Sequence, residues 1–359
     1  MTGKIHSDFR LNGLVCDRDA LLEVGYSFIK EGEEYERPIG DFLLDWLSDS
    51  PAVIVKTSGS TGPPKNIALT KQSMMASAMA TAEFLGLQSG TKALLCLSAG
   101  HIAGKMMLVR AMVLGWSLEL VSPSSSPLLE TLNRFDFCAM VPLQLRSSFR
   151  HLDRVKTIIV GGAPLSGKDA DMLSDIETKV YETYGMTETA SHIALKPIIE
   201  PVIGEDTAIP FTVLPGIKLS QDDKGCLVIE LPWDPVQTIR TNDIVELIGP
   251  DRFNWLGRVD NVINSGGVKL YPELIEKKLS GLIDNRFILL GLPDDDLGQR
   301  LVLVIEGQVN KEEVINAIRE QHGKIPYEIP KEILSMEKFP ETENGKINRP
   351  DIYNWAVIR

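Results

Sequence analysis

Cysteine is scarce in this chain. Cys16, Cys96, Cys138 and Cys226 lie far apart with no C-x-x-C pair, so they offer neither a disulfide framework nor a thiolate metal site. Cys96 and Cys138 sit inside apolar runs, which predicts buried, reduced thiols. The five histidines likewise show no metal-ligand spacing. Positive charge is in deficit: 37 Lys and Arg against 49 Asp and Glu leave a net charge of −12 and a pI of about 5.0. Such a surface argues against nucleic acid or an anionic membrane as partner, because either is repelled over most of it. Long hydrophobic runs are missing too. The longest apolar stretch, Ile102 to Val121, is broken by Lys105, Arg110 and Glu119 and is no membrane span. Met1 to Gly13 is polar, without the apolar centre of a signal peptide, so a cytoplasmic location is expected. No internal repeat and no low-complexity tract interrupts the chain.

What is present is an ordinary globular composition. A hydrophobic content of 43% and a mean hydropathy near zero over 359 residues predict two or three domains with a sizeable core. The most informative stretch is Thr57-Ser58-Gly59-Ser60-Thr61-Gly62-Pro63-Pro64-Lys65. Its hydroxyls and glycines let the backbone turn tightly and present N–H groups to an anion, and Lys65 adds positive charge. The apolar run Ala52 to Val55 reads as a buried strand and Asn66 to Leu69 as the returning one, which makes the stretch a strand-to-strand tip. A Walker A loop would open a helix immediately after its lysine; here Pro63 and Pro64 forbid that start and Asn66 follows Lys65.

From Lys71 onward, helical and strand patterns alternate. Helices are predicted over Lys71 to Phe84, over Ile102 to Val113 and after Pro142. Strands are predicted over Ala93 to Leu97, Ser117 to Val121, Phe137 to Val141 and Thr157 to Val160. Such alternation means βαβ units, and hence an α/β fold whose ligand sites gather at the strand ends. Between about Val202 and Gly257 the texture changes to short alternating strands, a β-rich subdomain. Beyond Asp260 a small α+β module follows, with helices over Pro272 to Leu282 and Lys311 to Gln321 and strands over Arg286 to Leu292 and Arg300 to Ile305.

Several further stretches carry chemistry. Tyr181 to Thr189 offers an aromatic ring at Tyr184, a glycine permitting close approach at Gly185, a hydroxyl at Thr187 and, at Glu188, a carboxylate able to hold Mg²⁺. Gly161-Gly162-Ala163-Pro164-Leu165 reads alone as a turn. Asp243, in Thr241-Asn242-Asp243, and Arg258, in Trp255 to Asp260, supply an acceptor and a forked donor. Lys346, in Pro340 to Ile347, reads alone as a solvated surface lysine. Lys105 and Arg110 are two cations in an apolar helix; they either reach solvent, pair with acids, or meet an anionic ligand.

Taken together and in this order, these motifs resemble those of the adenylate-forming superfamily, which holds acyl-CoA synthetases, luciferases and peptide-synthetase adenylation domains. The resemblance runs from about residue 50 to the end, on a chain shorter ahead of the phosphate loop than is usual there. It implies a large domain at 1–257, a hinge at 258–260 centred on Asp260, and a small mobile domain at 261–359. It implies that Thr57, Ser58, Gly59, Ser60, Thr61, Gly62 and Lys65 grip the ATP phosphates. Gly161, Gly162 and Ala163 then form the adenine-edge loop, Tyr184 stacks on adenine beside Gly185, and Asp243 and Arg258 fix the ribose. Thr187 holds the α-phosphate, and Glu188 is the Mg²⁺ ligand. Lys346 reaches the site during adenylation; Lys269, in Ser265 to Lys269, faces it in the thioester-forming arrangement. The superfamily usually has Gly where Asn242 stands, a departure that Asn tolerates through its ease in left-handed backbone. His101 to Arg110 resembles the acyl-pocket helix of o-succinylbenzoate-CoA ligases of menaquinone synthesis, with His101, Lys105 and Arg110 as candidate acyl-binding residues. The expectation is thus an ATP-dependent acid–CoA ligase using Mg²⁺, with ATP, CoA and an aryl or acyl carboxylic acid as small-molecule partners and a homodimer left open. The alternatives are another acyl-CoA ligase, a carrier-protein adenylation enzyme, or a degenerate nucleotide-binding protein without turnover.

Overall fold

The computed structural model describes residues 3–56, 65–199, 209–233, 236–322, 325–341 and 347–359. Its main feature is a 13-stranded mixed sheet. One half is parallel: Arg10–Leu11, Ser117–Leu120, Lys92–Leu95, Phe135–Met140, Val155–Val160 and Lys179–Gly185 run side by side in that spatial order. The direction of pairing changes at His192–Pro197, which lies antiparallel to Lys179–Gly185. From there Phe211–Val213, Arg252–Arg258, Gln237–Leu247, Cys226–Leu231 and Lys218–Gln221 continue the sheet with antiparallel neighbours. The β-rich region read from the sequence is therefore continuous with the parallel half.

Both faces of the central parallel strands are covered, which is why Lys92–Leu95, Phe135–Met140 and Val155–Val160 run into unbroken apolar stretches at their carboxyl ends. Successive side chains point to opposite faces. Ala93, Leu95, Phe137, Ala139 and Ile159 join one core; Leu94, Cys96, Cys138, Met140, Ile158 and Val160 join the other. The first core also takes helix α1 (Arg18–Lys30), α2 (Arg37–Leu47), α3 (Lys71–Leu85) and α4 (Ile102–Leu114). Of these, α1 and α2 are additions to the sequence reading. Phe42, Leu43 and Trp46 of α2 are fully buried, a stripe whose i, i+1, i+4 spacing suits a helix packed on one side. All four cysteines are buried free thiols, with the Cys96 and Cys138 sulfurs 3.6 Å apart. Among the described residues no helix is long and apolar enough to cross a membrane.

The strands Ala52–Lys56 and Asn66–Thr70 pair antiparallel and set Lys56 opposite Asn66, so the two strands flank the predicted phosphate loop. Its residues Thr57, Ser58, Gly59, Ser60, Thr61 and Gly62 lie outside the described residues. The carboxy-terminal portion holds a separate five-stranded sheet, built from Ile263–Ser265, Val268–Leu270, Phe287–Asp294, Gly298–Glu306 and Glu332–Met336. Its two faces also carry distinct cores, Leu289 with Leu303 on one and Leu290 with Val304 on the other. The helices Pro272–Leu279 and Lys311–His322 match the predicted pair closely, while Arg349–Val357 is a further helix.

Candidate active site

A cleft of about 1610 Å³ opens where the parallel half of the large sheet gives way to the antiparallel half. Val141, Gly161 and Gly185, at or just past the carboxyl ends of three adjacent parallel strands, all line it. That is the place where open α/β sheets bind ligands, because the loops there diverge. Helix Pro272–Leu279 of the carboxy-terminal portion forms part of the wall through Glu273, Glu276 and Lys277.

Twelve residues singled out in the sequence line this cleft. They are Lys65, the loop Gly161, Gly162 and Ala163, the group Tyr184, Gly185, Thr187 and Glu188, the pair Asp243 and Arg258, and the acyl candidates His101 and Arg110. Gly185 is required by a close approach: a Cβ there would stand 2.4 Å from the Cα of His192.

The first corner of the cleft is held by Tyr184 and Asp243. The Tyr184 hydroxyl donates to Asp243 Oδ2 at 2.6 Å. Burial, and the neighbouring carboxylate, raise the phenol above its ordinary pKa, so it stays protonated as a donor. Its ring packs edge-on to Phe253, with centroids 5.1 Å apart, and against Phe211. Asp243 and Arg258 are register partners on neighbouring strands, and Arg258 Nε stands 3.7 Å from Asp243 Oδ1. An acceptor and a forked donor thus face the cleft side by side.

The second corner is made by a reversal after Tyr184. Thr187–Thr189 forms one 3₁₀ turn, and Ala190 follows with φ +62°, a strained value for a residue with a Cβ. Thr189 Oγ1 lies 2.6 Å from the Ser191 carbonyl oxygen and clips the turn shut. Ser191 is thereby set against α4, where Arg110 Nη2 donates to its Oγ at 2.5 Å. Arg110 is only 2% exposed, and its Nε has no hydrogen-bond partner among the described residues. Burial pushes the guanidinium pKa down to about 10, which leaves it charged near neutrality. A buried cation whose partner is a neutral hydroxyl is costly unless an anion completes it.

Between the corners Lys196 and Glu182, register partners, form an ion pair at 2.5 Å, with the ammonium 4.5 Å from the centre of the Phe211 ring. Lys277 faces them from the carboxy-terminal portion, its pKa lowered by burial and then by Lys196. The cleft is therefore locally basic on an acidic protein. Ser191, His192 and Lys196 were not singled out in the sequence. All three follow the Tyr181 to Thr189 motif directly, and a histidine entering the apolar run Ile193-Ala194-Leu195 was the available signal.

Four readings change or remain outside the cleft. Lys105 does not line it; the ammonium sits 5.0 Å from the centre of the Phe42 ring of α2. Five residues along a helix of 3.6 per turn put Lys105 and Arg110 about 140° apart, so only one of them can face the site. Asn242 lies in an extended strand and is not among the residues with positive φ. Its tolerance of left-handed backbone is thus not used; instead its amide donates to Asp260 Oδ2 at 3.3 Å. Lys269 faces a separate recess of about 320 Å³ with Asp223, Lys224 and Tyr271. Lys346 lies outside the described residues. Among the described residues no group of three or more His, Cys, Asp or Glu is placed to hold a metal ion; Glu188 is exposed and lines the cleft.

A doubly covered sheet with a basic cleft at its switch point is the architecture of a nucleotide-using α/β enzyme. The chain belongs to the AMP-binding enzyme family, matched over residues 16–219. It is similar to a 2-succinylbenzoate–CoA ligase of Staphylococcus aureus strain MSSA476, 27% identical over 97% of this chain and 75% of that protein. Among solved structures it resembles an acyl-CoA synthetase (AMP-forming)/AMP-acid ligase II-like protein from Dyadobacter fermentans. That chain is 39% identical, with a TM-score of 0.60 over 90% of this chain and 95% of that one. The o-succinylbenzoate CoA synthetase of Bacillus subtilis, solved with its acyl-adenylate intermediate, shares the fold at 20% identity. Its TM-score is 0.71 over 92% of this chain and 80% of that one.

Proposed function

We propose that this protein is an AMP-forming acid–thiol ligase whose acid is o-succinylbenzoate. A carboxylate oxygen of the acid attacks the α-phosphorus of ATP and pyrophosphate leaves. The thiolate of CoA then attacks the acyl carbon of the adenylate, and AMP leaves with the bonding electrons. No enzyme nucleophile is needed, so positioning and electrostatic stabilisation carry the rate. Tyr184, Asp243 and Arg258 form the nucleoside corner, and Lys65, with the adjoining phosphate loop, the phosphate end. Glu188 would hold Mg²⁺ in the manner that ion favours, by one carboxylate with the remaining oxygens from phosphates and water. The ion would neutralise charge on the departing pyrophosphate. We assign residues 1–257 to a large domain and 261–359 to a small one that turns about Asp260 between the two steps, exchanging Lys346 for Lys269. Four buried free thiols suit a reducing cytoplasm.

The observation that carries the choice of acid is Arg110. o-Succinylbenzoate has two carboxylates; activation of one leaves the other as a charge that must be matched where it is buried. Arg110 lines the cleft, is 2% exposed and has an unpartnered Nε among the described residues. Its fork suits a carboxylate bidentately. The relatives named for 2-succinylbenzoate and o-succinylbenzoate favour the same acid. The test is pyrophosphate release from ATP and CoA with o-succinylbenzoate and with benzoate. The diacid should be strongly preferred, and Arg110→Ala should raise its KM steeply while KM for ATP stays put. Equal use of benzoate, or an unchanged KM in Arg110→Ala, would overturn the acid and leave the general acyl-CoA ligase reading.

A further inference from the structure

Arg110 does not meet Ser191 alone. Ser191 Oγ also lies 3.2 Å from His192 Nδ1, and His192 Nε2 lies 3.3 Å from Thr81 Oγ1, contributed by α3 from 111 residues away in sequence. Thr81 Oγ1 in turn stands 2.9 Å from the Ser77 carbonyl oxygen, one helical turn back. Thr81 is 0% exposed and His192 7%.

The proton order in this chain follows from counting donors. The single Thr81 hydroxyl proton goes to the Ser77 carbonyl, the nearer of its two neighbours and an acceptor only. Thr81 Oγ1 can then only accept from His192, so Nε2 carries the ring proton. A neutral ring protonated at Nε2 offers Nδ1 as an acceptor, and Ser191 gives its proton there. The Ser191 oxygen is left presenting lone pairs, which Arg110 Nη2 takes. Burial, and then the Arg110 charge, keep His192 neutral, its pKa held well below the ordinary value. Every link points the same way, and neither ring nitrogen is left over for a ligand.

We propose that Thr81, His192 and Ser191 form a one-way hydrogen-bond chain that fixes the plane of the Arg110 guanidinium toward the non-reacting carboxylate of the acid, with His192 and Thr81 as positioning residues. The proposal rests on the diacid reading given above. Its consequence is specificity: a guanidinium held in one plane meets a carboxylate without first losing rotamer freedom, and the Ser191 proton is already committed. Ser191 engages only Nη2, and the buried Nε has no hydrogen-bond partner among the described residues.

Thr81 does not line the cleft, which makes it the cleanest test. Thr81→Val keeps the side-chain shape and removes the hydroxyl. It should raise KM for o-succinylbenzoate about tenfold, the equivalent of one hydrogen bond of roughly 1.4 kcal/mol, with KM for ATP unchanged; Thr81→Ser should restore the parent value. At position 192, His192→Asn keeps an acceptor for Ser191 and should outperform His192→Leu in KM for the diacid, whereas a packing role in this apolar surrounding would favour Leu. Nitrogen-15 NMR of the substrate-free protein, with the His192 signal assigned by its loss in His192→Asn, should show a neutral ring protonated at Nε2. An unchanged acid KM in Thr81→Val, Leu performing as well as Asn at position 192, or a ring protonated at Nδ1 would each overturn the proposal. If the ring is protonated at Nε2 but Arg110→Ala leaves the acid KM unchanged, the diacid reading has failed and takes the positioning role with it. A different tautomer with a sensitive Arg110 overturns the chain alone.

Discussion

Tyr184 and Asp243, 59 residues apart in sequence, are joined by a 2.6 Å hydrogen bond in which the phenol donates to the carboxylate. The bond ties the last strand of the parallel half to a strand of the antiparallel half across the cleft. It leaves Asp243 Oδ1 on the side of Arg258. Tyr184→Phe keeps the ring packing on Phe211 and Phe253 but strips a donor from a carboxylate only 8% exposed. Hydrogen bonds to charged groups contribute about 1.5–3 kcal/mol, so KM for ATP should rise about tenfold or more, with KM for the acid unmoved. Parallel initial-rate series in each substrate distinguish this from a general collapse of the site, in which both constants rise.

Arg110 should be a residue that costs stability while it serves binding. Burying an ion without a counter-charge costs several kcal/mol, which an apolar side chain of similar length does not incur. Arg110→Met should therefore raise the urea midpoint of the ligand-free protein while weakening the acid. A lowered midpoint would mean that Arg110 is already compensated. Lys105→Met serves as the control, because its ammonium rests over Phe42, and it should leave KM for the acid unchanged.

His192 makes stability depend on pH with a definite sign. Burial, and secondarily Arg110, hold its folded pKa well below the ordinary value. As pH falls below about 6.5 the unfolded chain takes up the proton first, so stability is full above that value and declines below it, by at most about 1.4 kcal/mol per pH unit. The loss continues until the folded pKa is reached. His192→Asn removes this contribution, so the wild-type-minus-variant difference in unfolding free energy should shrink as pH is lowered. A difference independent of pH would mean that His192 titrates normally in the fold.

The two half-reactions should separate under mutation. Lys346→Ala should slow adenylate formation about a hundredfold, the loss of one preorganised charge stabiliser, and leave thioester formation from supplied acyl-adenylate nearly intact. Asp260→Pro should show the opposite bias, because a rigid residue at the turn hinders rotation but not the first step. Equal losses in both steps for either variant would refute the division.

Much of the fold was legible in the order of residues. The alternation from Lys71 to Val160 specified helix-covered parallel strands because a strand buried on both faces must be apolar throughout, and its neighbours must then be helices. The strands flanking the phosphate loop, and the helix and strand pairs of the carboxy-terminal portion, were legible as short apolar runs bounded by turn residues, although the strand expected to be buried, Ala52–Lys56, buries Val53 and Val55 on one face and leaves Ile54 58% exposed on the other. Helices α1 and α2 were not. The buried stripe Phe42, Leu43, Trp46 of α2 takes its meaning from the neighbours it meets, α1 and the Lys105 side of α4.

The residue types of the site, Tyr184, Glu188, Asp243, Arg258 and Arg110, were set by local motif, since each belongs to a short stretch whose chemistry is visible without a partner. Tertiary structure decided their company. Helix α4 is apolar on every side, so its sequence does not say which face meets the cleft; packing against α2 turned Lys105 one way and Arg110 the other. The positive φ of Ala190 is held by the Thr189 clip. The meeting of Thr81, His192, Ser191 and Arg110 depends on α3, α4 and the strand His192–Pro197 closing on one point. A hydrogen-bond chain assembled from segments as much as 111 residues apart leaves no local signal, because each of its members alone is an ordinary buried polar residue whose role is fixed only by the groups the fold places beside it.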